Sequence, residues 1–301
     1  MNISVKIGNS VFPNPVTVAS GTFGHSEELY ASPEVKCLGA LVPKTVTLHA
    51  QQGNAPRRIC ETPAGMINAI GIENAGIDAF IAQKLPKLQK AGVPLIISIS
   101  AHDEDAFALM TEKLNAAGGL AAIELNLSCP NLKKKVLVAQ DAQATEAVVR
   151  RVKAVSMYPV IAKLSPNVTD IGAIALAAEA AGADALSMVN TFAAMAIDVR
   201  KRRSKIGNFT GGLSGPAIRP IAVRMVCETA TRVKIPIVGM GGIACANDAL
   251  EFLIAGATMV AVGTYNFVNP RAPLEVLEGI RAYMQENKMT DIRELIGSIQ
   301  R

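Results

Sequence analysis

Two lysines and two asparagines close separate short apolar runs in this chain. Lys44 follows Leu41-Val42-Pro43, Asn126 follows Ile123-Glu124-Leu125, Lys163 follows Val160-Ile161-Ala162, and Asn190 follows Ser187-Met188-Val189. A single lysine after a strand is usually a solvated surface residue, because lysine is rarely buried unless paired. Four polar ends on one rim are harder to explain that way: they would converge above a packed interior and build a site. Two further runs end in glycine, as Gly239-Met240-Gly241-Gly242 and Gly263-Thr264. Bare backbone N–H groups there could cradle a phosphate, although ordinary tight turns use the same residues. The sharpest local signal is Asn126-Leu127-Ser128-Cys129-Pro130-Asn131. A lone cysteine is usually an inert small hydrophobe. Cys129 instead lies on a polar loop near lysines, where a thiol with an ordinary pKa of roughly 8.5 can serve as a proton acceptor if the thiolate is favoured.

The elements that must hold these residues alternate along the whole chain. Apolar, β-branched strands are expected at 16–19, 38–43, 95–100, 122–125, 160–164, 185–189, 237–239 and 259–262. Helical periodicity covers 77–90, 106–116, 145–154, 171–181, 217–232, 246–255 and 273–285, with a weaker helix around 26–30. Eight strands with following helices predict an α/β fold, a (β/α)8 TIM barrel. An open doubly wound sheet would alternate similarly; the count of eight and the lack of a G-x-G-x-x-G after the first strand favour the barrel. Residues 4–7 and 11–13, joined across Gly8-Asn9-Ser10, predict an N-terminal β-hairpin under the barrel floor. Three connections, 45–73, 127–144 and 191–216, are too long for plain βα loops and are expected to cover the active site. With no linker, low-complexity stretch or repeat, residues 1–301 are expected to form one domain.

Composition removes several other readings. Half of the 301 residues are hydrophobic and 18% charged, enough for a large core and too apolar for disorder. Aromatic residues make up 4% and Trp is absent, which argues against a stacking surface for single-stranded nucleic acid. The net charge of +5 comes mainly from two short clusters, Lys133-Lys134-Lys135 and Arg200-Lys201-Arg202-Arg203 with Lys205. These read as solvated loops or as a field favouring a small anion. Five cysteines without a C-x-x-C pair make a disulfide framework, a zinc site or an iron–sulfur cluster unexpected. No leader pattern and no apolar run of membrane-spanning length is present, so a cytoplasmic location away from membranes is expected.

Longer motifs carry a family resemblance. Glu61-Thr62-Pro63-Ala64-Gly65-Met66-Ile67-Asn68-Ala69-Ile70-Gly71-Ile72, the 126–131 loop and Lys163-Leu164-Ser165-Pro166-Asn167-Val168-Thr169-Asp170 occur in order. Met195-Ala196-Ile197-Asp198, Gly211-Gly212-Leu213-Ser214-Gly215-Pro216-Ala217 and Gly239-Met240-Gly241-Gly242-Ile243 follow. Across its whole length the chain resembles the class 1B dihydroorotate dehydrogenases, FMN-containing catalytic subunits of pyrimidine (UMP) biosynthesis. The resemblance implies that Cys129 removes the C5 proton of dihydroorotate while hydride leaves C6 for N5 of FMN. The membrane-bound class 2 enzymes carry Ser at this position. It further implies that Asn68, Asn126, Asn131 and Asn190 hold the pyrimidine and its carboxylate. Lys44, Thr191 and the segment Ala69-Ile70-Gly71-Ile72 would add substrate contacts. Ala19, Ser20, Thr45, Asn126 and Val189 would line the flavin, with Lys44 reaching both ligands and Lys163 at the N1–C2 edge. Gly215, Gly241, Gly242, Gly263 and Thr264 would take the ribityl phosphate. A homodimer is implied, within a heterotetramer whose other subunit carries FAD and a 2Fe–2S cluster and passes electrons to NAD. The chain departs from the family pattern at Ala193-Ala194, at Pro43 and over 132–137.

Other readings stay open on the residues alone. A class 1A enzyme would hand electrons to fumarate without a partner, and dihydropyrimidine-type reductases usually show His where Asn131 stands. A flavin-free Schiff-base lyase would use Lys163 as nucleophile. Nucleic-acid binding would rest on net charge alone and depend strongly on salt.

Overall fold

The computed structural model describes residues 1–23, 32–128 and 138–300. The expected helix around 26–30, Lys133-Lys134-Lys135 and the 132–137 segment therefore lie wholly or mostly outside the described residues. The chain begins with β1 (Val5–Ile7), β2 (Ser10–Phe12), β3 (Val16–Val18), α1 (Pro33–Lys36), β4 (Val46–Thr47), β5 (Ile59–Thr62) and β6 (Gly65–Asn68). A helical stretch follows without a break: α2 (Ile77–Ala79), a π segment (Phe80–Lys84) and α3 (Leu85–Gln89). Regular alternation then sets in with β7 (Ile96–Ser100), α4 (Glu104–Ala117), β8 (Ala122–Asn126), α5 (Ala142–Lys153), β9 (Val160–Lys163), α6 (Ile171–Ala180) and β10 (Ala185–Met188). Four short strands interrupt it: β11 (Phe192–Ala194), β12 (Ile197–Asp198), β13 (Arg203–Ser204) and β14 (Gly211–Ser214). The chain ends with α7 (Arg219–Ala230), β15 (Ile237–Met240), α8 (Ala246–Ala255), β16 (Met259–Val262) and α9 (Ala272–Glu286).

Eight strands pair in parallel in the order β3-β16-β15-β10-β9-β8-β7-β4. The remaining edge is joined through residues just before β4. Gly39 N–H donates to the Val16 carbonyl at 2.7 Å, Thr17 Oγ1 donates to the Ala40 carbonyl at 2.7 Å, and Leu41 forms a parallel bridge to Leu95. The sheet thus curls on itself into the expected α/β TIM barrel. Its strands are buried on both faces, as in β7, where Ile96, Ile97, Ser98, Ile99 and Ser100 are all buried. That follows from packing helices outside and side chains inside a parallel sheet. Asp103, Asp141 and Asp170 cap α4, α5 and α6 by accepting backbone N–H bonds, each such cap contributing about 1 kcal/mol.

The N-terminal hairpin forms as expected, β1 against β2, with Ile7 opposite Ser10 across Gly8-Asn9. It lies against the barrel floor, since Ser10 Oγ donates to the Ala121 carbonyl at 2.6 Å, just before β8.

One expectation changes in detail. The second barrel strand, expected at 38–43, is a single bridge at Leu41, and the ladder resumes only at Val46. Pro43 has no N–H to give a ladder and restricts the residue before it. Lys44 and Thr45 therefore sit within the interruption, not past a strand end. The long connections 45–73 and 191–216, expected to be more than plain βα loops, also carry strands. They pair with each other in a four-stranded antiparallel sheet of order β11-β14-β6-β5.

Candidate active site

The strand register brings the first group of residues together. Asn126 of β8 lies opposite Lys163 of β9, and Lys163 lies opposite Ser187 of β10. Two residues before Asn126, on the same face by strand alternation, is Glu124. Both Glu124 and Lys163 are buried. Ser187 Oγ donates to Glu124 Oε2 at 2.7 Å, and Lys163 Nζ stands 3.7 Å from Glu124 Oε1. A buried carboxylate between an ammonium and a hydroxyl makes a charged layer inside the barrel. Sequence reading missed Glu124. Its signal is a charged residue inside the apolar strand Ala122-Ile123-Glu124-Leu125, on the face that carries Asn126.

The rim above this layer is amide-rich. Asn190 Nδ2 donates to Asn126 Oδ1 at 3.1 Å and to Ser128 Oγ at 2.8 Å, while Asn190 Oδ1 accepts from the Thr191 N–H at 2.8 Å. Asn167 extends this network, donating to the Thr191 carbonyl at 3.0 Å. Asn126, Asn190 and Thr191 are thus gathered as expected, whereas Cys129 and Asn131 lie outside the described residues. Val189 is buried, with its N–H on the Met240 carbonyl at 3.0 Å.

Lys44 approaches from the interrupted strand and lies over Gly21, where a Cβ would come within 3.2 Å of its Nζ. Burial first, and the charge of Lys163 second, hold the Lys44 ammonium below the ordinary lysine range; Glu73 pulls weakly the other way. Two expected cations therefore share one field. Next to them a hydroxyl chain runs from Ser20 Oγ to Thr45 Oγ1 at 3.1 Å and on to Ser98 Oγ at 3.0 Å.

The second group forms a glycine cradle. Gly215 precedes the short 3-10 turn Pro216–Ile218 that leads into α7. Gly242 has φ +76°, and a Cβ there would meet the Gly215 carbonyl oxygen at 2.7 Å and Arg219 Cβ at 2.8 Å. Only a residue without a side chain lets these two turns touch. Across from them Thr264 Oγ1 donates to Ser214 Oγ at 2.7 Å, and Ala19 is the one neighbour within reach of a Cβ at Gly263, at 3.5 Å. Gly241, Gly242, Gly263 and Thr264 are partly exposed, which leaves backbone at these turns open to a ligand, a setting suited to a phosphate. Arg219 is engaged elsewhere, by Asp248 and Glu251.

The third group rides on the antiparallel sheet. Asn68 ends β6 and donates to the Gly212 carbonyl at 3.3 Å. Beyond it, Asn54 N–H donates to the Ile70 carbonyl at 2.9 Å and Asn54 Nδ2 to the Ala69 carbonyl at 3.0 Å. Asn74 Nδ2 donates to the Ile72 carbonyl at 2.7 Å. Gly71 has φ +78°, and a Cβ would come 2.7 Å from the Asn54 nitrogen. Asn54, Arg58 and Asn74 hold this segment, with Arg58 tied to Glu73 and to the Asn54 and Gln52 carbonyls. No motif in the chain singled them out. The basic cluster 200–203 caps the β12–β13 hairpin as a solvated face, every member exposed. Among the other cysteines, burial and then Glu34 push the Cys37 thiol up to about 11, leaving it inert. Among the described residues no helix is long and apolar enough to cross a membrane.

Comparison with known proteins supplies the remaining findings. A family profile described as "Dihydroorotate dehydrogenase" matches residues 2–284. Three similar proteins carry the name "Dihydroorotate dehydrogenase B (NAD(+)), catalytic subunit". That of Desulforudis audaxviator is 50% identical over 299 residues, 99% of this chain and 97% of the relative. That of Desulforamulus reducens is 47% identical over 99% of this chain and 98% of the relative. That of a Thermoanaerobacter species is 48% identical over 100% of this chain and 99% of the relative.

Proposed function

The chain belongs to the dihydroorotate dehydrogenase family, and on that footing we propose that it oxidises dihydroorotate to orotate as the catalytic subunit of an NAD-linked enzyme of pyrimidine biosynthesis. The observation that carries this reading is the layer of Glu124, Lys163, Asn126 and Asn190 at the strand ends. It lies in a chain that its relatives match from end to end.

The family is flavin-dependent, and the residues fit FMN, one per chain over residues 1–301. The Gly215, Gly241, Gly242, Gly263 and Thr264 cradle would hold its phosphate. Ala19, Ser20, Thr45, Asn126 and Val189 would lie along its ring. The 3.7 Å gap between Lys163 and Glu124 exceeds hydrogen-bond length, so the ammonium keeps donors for a ligand. When bound, FMN supplies the acceptor for the hydride that leaves C6. Cys129 would take the C5 proton as general base, so that the C5–C6 double bond forms as proton and hydride depart. Asn68, Asn126, Asn131, Asn190 and Thr191 would orient the ring, whose carbonyl and N–H groups need both donors and acceptors. Gly71, with Ala69, Ile70 and Ile72, would present backbone to the carboxylate, and Lys44 would neutralise charge between substrate and cofactor. Lys163 would favour the electron-rich reduced state.

Onward transfer to NAD is assigned to a partner subunit carrying FAD and a 2Fe–2S cluster, joined to a homodimer of this chain in the cytoplasm. The test is anaerobic. Dihydroorotate should bleach the bound flavin, and dihydrouracil and dihydrothymine should not. NAD should be reduced only when the electron-transfer subunit is added. Bleaching by the latter two substrates alone would sink the assignment.

A further inference from the structure

Glu124 has a use that the proposed reaction leaves unassigned. Its side chain is 5% exposed and that of Lys163 6%, and charges so deep are kept only where something compensates them. Compensation here is partial. Oε2 accepts from Ser187 Oγ, but among the described residues Oε1 accepts no hydrogen bond and stands 3.7 Å from the Lys163 ammonium. At that separation the two charges attract strongly in a low-dielectric interior, yet no proton is shared. Ser187 holds one carboxylate oxygen from β10, and the other is the one turned toward Lys163. Lys44 adds a second cation that feels the charge of Lys163. Among the described residues, Glu124 is the buried acid within 4 Å of Lys163.

We propose that Glu124 is a positioning residue that sets the reduction potential of the cofactor, by offsetting part of the Lys163 charge while Ser187 keeps the pair from closing. This rests on the placement of Lys163 beside the flavin. A cation at that place stabilises the reduced, electron-rich cofactor more than the oxidised one, and an anion behind the cation subtracts from the gain. The carboxylate thus acts as a brake on Lys163, and the hydroxyl of Ser187 sets how hard the brake is applied.

Redox titration of the FMN-loaded protein tests this with three variants. Glu124→Gln keeps shape and the hydrogen-bonding capacity toward Ser187 but removes the charge. It should favour reduced over oxidised flavin at least tenfold, an upward shift of about 30 mV for a two-electron couple. Ser187→Ala frees the carboxylate to turn onto Lys163, and should shift the potential downward; this variant carries the test if Glu124→Gln fails to fold. Lys163→Met should lower the potential. A purely structural carboxylate would change melting temperature or flavin content in Glu124→Gln and leave the potential where it was. An unmoved or lowered potential in Glu124→Gln, with Lys163→Met lowered, overturns the role of Glu124. An unmoved potential in Lys163→Met overturns the placement of Lys163, and the inference with it.

Discussion

With Cys129 proposed as the base, its replacement should separate chemistry from binding. Cys129→Ala should slow flavin reduction by dihydroorotate by roughly 10²–10⁴-fold, the usual worth of a general base, while flavin content stays near wild type. Cys129→Ser should keep residual turnover with its optimum at higher pH, because a hydroxyl is a far weaker acid than a thiol. Stopped-flow reduction across pH checks both, and near-normal rates in the alanine variant would remove Cys129 from the role. Lys44 makes a prediction about stability instead. Burial and Lys163 lower its pKa, so the folded protein holds that proton less tightly than the unfolded chain. The resulting cost is complete below the folded-state pKa and fades as pH climbs toward the unfolded value near 10.4. Lys44→Met should therefore raise the melting midpoint at pH 7 by roughly 1–3 °C, lose this advantage in strong alkali, and impair flavin reduction. A thermal melt series from neutral to alkaline pH reads the sign directly. At this scale the sequence showed that Asn126 and Lys163 end strands, because termination by a polar residue is a local pattern. It did not show Glu124 as a partner of Lys163. Nothing local says that Ser187, 63 residues away, donates to it.

Among the elements, the glycine turns after β15 and before α7 are coupled by contact. Gly242→Ala would drive a Cβ to 2.7 Å from the Gly215 carbonyl, at a φ of +76°. It should cost about 1–3 kcal/mol and release flavin more readily. Urea unfolding of the apoprotein and the flavin-to-protein absorbance ratio measure the two effects. A variant with wild-type values in both would show that the turns are not a cradle. Helices were legible in place, with ends off by up to three residues, as at α5, which starts at Ala142 behind the Asp141 cap and not at 145. The α8 span 246–255 is the clearest case, closed by the left-handed Gly256. The second barrel strand was less legible. Its apolar run stops at Val42, and only knowledge of where Pro43 falls in the ladder explains why pairing skips to Val46. The antiparallel sheet was not legible at all. β6 and β14 pair with Met66 opposite Ser214, and such a register is fixed by distant partners and not by alternation within either short strand.

For the molecule as a whole, the count of eight strands together with the missing G-x-G-x-x-G favoured the barrel over an open sheet, and closure is visible in the structure. Besides the sheet edge at Gly39, the chain ends are tied: Asn2 N–H donates to the Thr290 carbonyl at 2.7 Å, and Ile292 N–H returns to the Asn2 carbonyl at 2.9 Å. Asn2 Nδ2 adds a bond to Asp291 at 2.8 Å, and Arg293 and Asn2 hold that carboxyl well below the usual range. The barrel is therefore tied at its sheet edge and at its chain ends, and the long rim segments are added to that frame. Two of those segments share one ladder across β6 and β14. The piece that presents Gly71 and the piece that presents Thr191 consequently have to be inherited together. Transplanting either from a relative would leave its counterpart without a matching edge, whereas exchanging both would carry the ladder across intact.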